Sequence, residues 1–172
     1  MMMMTNTENG KERRIGALTS DLSRTLGGQR LLKMVLEAVQ AVDPRRFSSK
    51  EVRTAEFRPQ MMLTLLTYCY TTSLYGSYDI EWAISQDKTI RYICARTYPD
   101  WQTIKRFRRQ HREMLQETIA AVLKQAWALK FDEGELDYNG YEWFESELLD
   151  QVSAAAAERL DLAVLMDGAD SD

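Results

Sequence analysis

The chain has 172 residues, 45% of them apolar, with four Trp, eight Tyr and five Phe; that suits one ordinary core with an appended segment and excludes a wholly disordered chain. Its net charge of −4 conceals two unlike parts, because residues 1–130 hold 21 Lys+Arg against 13 Asp+Glu, whereas residues 131–172 hold one cation, Arg159, against 13 acids. No apolar run approaches the roughly 18 residues of a membrane span, and Met1 to Gly10 lacks the apolar stretch of a signal peptide, so a cytoplasmic protein with no membrane contact is expected.

In chain order, residues 1–28 are polar, dotted with Gly10, Gly16, Gly27 and Gly28, and read as a flexible arm with a small basic cluster at Lys11, Arg13 and Arg14. From Gln29 to Val42 the positions Leu32, Val35, Leu36 and Val39 fall three and four apart, the spacing of one helical face. Asp43-Pro44 ends that helix, since the residue before proline is pushed out of the α region. Pro59 fits the first turn of a second helix, where its missing N–H costs nothing. Met62, Leu65, Leu66 and Cys69 form its stripe and Gly76 its end. Ser77 is the expected cap of the next helix, through Ile80, Ala83 and Ile84. A short helix over about Lys88–Ala95 follows. Cys69 and Cys94 stand without a CxxC or a histidine cluster, so they read as reduced core thiols, and no metal or cofactor is expected.

Pro99 breaks the chain again, and Asp100 is placed to cap a long helix expected over Asp100 to Leu129. There Ile104, Phe107, His111, Met114, Leu115, Thr118, Ile119, Val122 and Ala126 share one face. Gln102, Lys105, Arg106 and Arg109 lie opposite, flanked by Arg108 and Arg112. Five cations and one acid within residues 100–112 are too lopsided for a face built on paired charges. A helix with a core stripe and a concentrated cationic stripe has the form that enters a major groove, where Arg, Lys and Gln reach base edges or phosphates. The single histidine, His111, falls on the apolar side and reads as a core or junction residue rather than a base or ligand. In residues 131–172, Asn139-Gly140 marks a turn. Trp143, Leu148, Leu149, Val152, Ala156, Leu160 and Val164 can then form the apolar stripe of an acidic helix that docks on the body or takes a protein partner through residues 141–166. No sustained period-2 segment appears, so the expected fold is an all-α helical bundle.

The stretch from about Phe57 to Ala126 resembles the helical N-terminal domain of DDE-type insertion-sequence transposases. The matching features run in order: Pro59 with MMLTLLTYCY, Tyr75-Gly76, SYDIEWAISQD, IRYIC, and then PDWQTIKRFRRQHREML. The last is the most specific, with Pro99, Asp100, Thr103, Ile104, Arg106, Phe107, Arg108 and His111 at the family's spacing. The resemblance implies a helix-turn-helix-like unit within residues 29–130 that binds double-stranded DNA, with Gln102, Lys105, Arg106 and Arg109 facing the groove and Arg108 and Arg112 beside them. Trp101-Gln102 departs from the smaller or more polar residues expected there, in the turn that usually makes base contacts. A transposase of this kind also needs three carboxylates on a separate sheet to hold two metal ions. Only 42 residues follow Lys130, so no catalytic domain is expected, and Asp167 in LAVLMDGADSD reads as an echo of the first catalytic carboxylate. The resulting expectation is DNA binding without catalysis, as by a truncated or domesticated transposase-like protein at element ends. A protein-interaction module using the acidic tail, and a decayed remnant, stay open as alternatives.

Overall fold

In the computed structural model the backbone is described for residues 20–132 and 141–169, and the side chains for residues 20–129 and 147–168. Every regular element among them is helical. Short-range capping explains most helix starts. Asp21 accepts from the Ser23 amide ahead of α1 (Leu22–Leu26), and Gly27, at φ 80°, separates α1 from α2 (Gly28–Gln40). Asp43 caps a 3-10 turn, Pro44–Arg46, and Ser48 caps α3 (Ser49–Thr54) by accepting from the Glu51 amide. Pro59 opens α4 (Pro59–Thr71) at a position where no amide is needed. Next come α5 (Ser77–Gln86) and α6 (Lys88–Cys94), separated by Asp87, which accepts from the Thr89 and Ile90 amides. Asp100 accepts from the Thr103 amide at 2.8 Å and starts α7 (Trp101–Gln110); α8 (Arg112–Asp132) and α9 (Tyr141–Ala169) complete the chain as described.

The centre of the bundle is α4. Every residue from Met62 to Thr71 is buried, so beyond its first turn α4 has no solvent face, unlike the single stripe expected from its sequence. Its threonines are tolerated because each hydroxyl is bonded locally or across the core: Thr64 donates to Gln60 O, Thr71 to Thr67 O, and Thr67 shares a 2.9 Å bond with Thr118 of α8. Around α4 pack α2, α6, α7, α8 and α9, and one continuous core joins all of them.

Several expectations are corrected. Residues 20–28, assigned to the arm, hold α1 and bury Leu22. The polar connection before Pro59 contains the 3-10 turn and α3. In α2 the buried stripe is Leu31, Met34, Val35 and Val39, leaving Leu32 half-buried and Leu36 exposed. The α4 helix ends at Thr71 rather than Gly76. The Leu74 amide returns to Cys69 O and Ser73 takes φ 62°, a left-handed helix end built without glycine and therefore invisible in the sequence. Ser77 is the first residue of α5 rather than its cap.

The long helix is broken at His111, which takes φ −120° and ψ 31°. Neither proline nor glycine stands there. Instead the imidazole Nε2 shares a 2.5 Å contact with Glu51 of α3 and lies edge-on to Phe47 at 5.3 Å, which ties the junction to the 3-10 and α3 region. The acidic tail is part of the core: α9 packs along α8 and against α4 and α5, burying Leu148, Val152, Ala155, Ala156, Leu160 and Ala163. The alanines let the helix axes come close. Leu149 and Val164, assigned to its stripe, are exposed; Asn139-Gly140 and the Trp143 side chain lie outside the described residues.

Candidate nucleic-acid interface

Helix α7 is amphipathic because Ile104 and Phe107 bury against α4 and α5 while its opposite side carries Gln102, Arg106 and Arg109 into solvent. Lys105 is half-buried, its Nζ 5.8 Å from the centroid of the Trp101 ring. Trp101 in turn stacks on Tyr78 of α5, centroids 4.6 Å apart, so the first turn of α7 is anchored by an aromatic pair that projects from the bundle surface. Among the described residues no carboxylate lies within ion-pair distance of Lys105, Arg106 or Arg109. The Asp100 carboxylate is held below its ordinary range, first by the Thr103 backbone amide it caps and then by the Thr103 side chain, with Arg106 a smaller contributor. It is therefore ionised when it caps the positive end of α7.

Two of the six proposed contact residues lie elsewhere. Arg108 was expected to flank the cationic face, but it is buried, with its guanidinium on the Asp167 carboxylate of α9 and within 3.4 Å of the Ser77 hydroxyl. The sequence did carry a signal, since Arg108 is four residues after Ile104 and seven before Leu115, on the core side of the wheel. Arg112 begins α8 and donates to Asp161 of α9 at 2.6 Å. The face that remains together is Gln102, Lys105, Arg106 and Arg109.

Asp167, read from the sequence as an echo of a catalytic carboxylate, is buried and fully engaged within the bundle. Its two oxygens accept from the Ser77 amide and the Ser77 hydroxyl, both at 2.7 Å, and it pairs with Arg108. It thereby satisfies the free N-terminus of α5 and neutralises a buried cation. Arg159 is the second buried cation that sequence reasoning missed. It donates to Tyr70 O at 2.6 Å and to Ser20 O at 2.8 Å, tying α9 to the C-terminal turn of α4 and to the chain entering α1. Both positions sit on the α9 face of Val152, Ala156, Leu160 and Ala163, so the helical period pointed to burial although their charge did not.

A cleft of about 610 Å³ opens beside α7, walled by α3 and the start of α4, and Lys50, Glu51, Arg106, Gln110 and His111 line it. The thiols are inert by position: burial pushes Cys94 up to about 11 and Cys69 well above the ordinary thiol range. Among the described residues no helix is long and apolar enough to cross a membrane.

The architecture is an all-α bundle that presents one short helix whose solvent face is cationic and lacks carboxylate partners among the described residues. Residues 30–110 match the family model described as Transposase domain (DUF772), which makes this segment transposase-related. The match runs from α2 to the last residue of α7, ending where the helix is interrupted at His111. No curated protein and no solved structure matches the chain significantly.

Proposed function

We propose that this transposase-related protein binds double-stranded DNA through α7, with Gln102, Lys105, Arg106 and Arg109 as the contact residues and the ends of a mobile element as its sites. The observation that carries the reading is the cationic face of α7, with Arg106 and Arg109 exposed, Lys105 half-buried and none of the three paired with a described carboxylate, on a helix anchored by Ile104 and Phe107. Such a face gains from phosphate contact through counterion release, whereas a cation already paired with protein has less to gain. The position of α9 supports the same reading. Its acids Asp161 and Asp167 engage Arg112 and Arg108 rather than the cations of the α7 face, so these two acids brace the helix from behind.

The test is a salt series of binding to duplex DNA by the full chain and by a Lys105→Ala/Arg106→Ala/Arg109→Ala variant. The variant should keep its fold, because none of the three side chains is buried. Each lost phosphate contact should lower the slope of log affinity against log salt by about 0.9. Phe107→Ala provides the contrast, since removing a buried ring costs about 3–5 kcal/mol and weakens binding only by unfolding. A folded triple variant with unchanged affinity and slope would overturn the reading. That result would favour a protein-binding role for α9, whose C-terminal turns expose Leu162, Leu165 and Met166 at helical spacing.

A further inference from the structure

The DNA-facing helix does not stand alone at the surface. Trp101, Lys105 and Arg109 are spaced four apart, so they line one side of α7 over about 12 Å. The Trp101 ring is stacked on Tyr78, and Tyr78 and Trp82, again four apart, line one side of α5. The result is a file in the order Arg109, Lys105, Trp101, Tyr78, Trp82 that crosses from one helix to the next. Its far end is markedly exposed for large aromatic rings: Trp82 retains 68% of its accessible surface and Tyr78 43%. Isolated exposed apolar side chains are ordinary. Here one of them, Tyr78, belongs to a stacked pair that carries a cation over its other ring, and Trp82 extends that pair.

Charge divides the file. The α7 end is cationic. The α5 end bears Asp79, exposed, and Glu81, half-buried, on either side of its aromatic rings. A polyanion lying along the file would therefore place phosphates on Lys105 and Arg109 and turn its uncharged bases toward Tyr78 and Trp82. Paired bases inside a duplex cannot present their faces to these rings, but unpaired bases can.

Resting on the duplex-binding reading above, we propose that the Trp82–Tyr78–Trp101–Lys105–Arg109 file holds a single-stranded stretch of DNA next to the duplex, its bases stacked on Tyr78 and Trp82. The ligand class is then DNA with a frayed or overhanging end rather than a continuous double helix. Trp101 acts as a positioning residue, fixing Tyr78 and Lys105 relative to each other.

The experiment compares a labelled blunt duplex with the same duplex carrying an oligothymidine overhang, both titrated with the full chain by fluorescence anisotropy. The overhang should tighten binding by about tenfold, the scale of one stacked base, and should quench tryptophan emission. Trp82→Ala should lose most of that gain while binding the blunt duplex as the wild type does; Tyr78→Ala should lose it as well, together with some blunt-duplex affinity because it also unstacks Trp101; and Trp82→Phe, which keeps a ring, should retain part of it. A wild-type protein indifferent to the overhang, or a preference that survives both alanine variants, overturns the proposal and leaves duplex binding standing. Tight binding of the overhang with no affinity for the blunt duplex would instead sink the duplex reading and keep the file. Binding to neither would remove both.

Discussion

Asp167→Ala removes one partner of a buried ion pair, and the structure indicates how much that costs. The side chains of Arg108 and Asp167 are only 5% and 3% exposed, so the Arg108 guanidinium left behind would lie in a site from which water is largely excluded. Breaking such a pair by deleting one member costs about 3–5 kcal/mol. The change also strips the Ser77 amide and hydroxyl of their acceptor, and with it the carboxylate at the positive end of α5, so the upper part of that range is expected. For a chain of this size the melting temperature should fall by about 8–20 °C. The assay is urea and thermal unfolding followed by far-ultraviolet circular dichroism. A double variant, Arg108→Met/Asp167→Ala, supplies the diagnostic, because removing both charges should recover part of the loss seen with Asp167→Ala alone. A cost below about 1 kcal/mol for Asp167→Ala, or a double variant no better than the single, would refute the idea that α9 is clamped to α5 and α7 through this pair.

Two further outcomes are expected. Ala95 follows α6 in the left-handed region at φ 49° and ψ 46°, next to Arg96 at φ 68°; Ala95→Gly should relieve this and raise stability by about 0.5–1 kcal/mol, whereas a loss of stability on unfolding in urea would contradict the assigned backbone. The native thiols should react with a disulfide reagent at pH 8 roughly a hundredfold more slowly than in urea, because burial raises Cys94 to about 11. With the folded value raised above the unfolded one, the stability linked to this thiol is complete below about pH 8.5 and declines as the pH climbs toward 11; fast native labelling would refute the burial.

What the chain declares locally, it declares well. Pro59 heads α4 where no amide is needed, and Asp100 acts on the Thr103 amide three residues away at the start of α7, so both of these helix starts were legible without tertiary information. The apolar period from Ile104 to Ala126 survives in the core, and the cations of α7 that lie opposite it remain in solvent. Where tertiary contacts decided the outcome, the partner lay far along the chain. Glu51 and Phe47 meet His111 across about sixty residues and accompany a helix break that no proline or glycine announces. The left-handed end of α4 was built on Ser73, so it carried no glycine signal. The strongest reassignment concerns charge. Average composition makes residues 131–172 an acidic tail apart from a basic body, yet Arg159 and the Arg108–Asp167 pair are among the places where the two are joined, buried because each ion found compensating partners only after the helices packed. Helical period told which side of each helix could be buried, but it could not tell that a charge would be taken inside, because the desolvation cost is offset by a group that only the fold brings near.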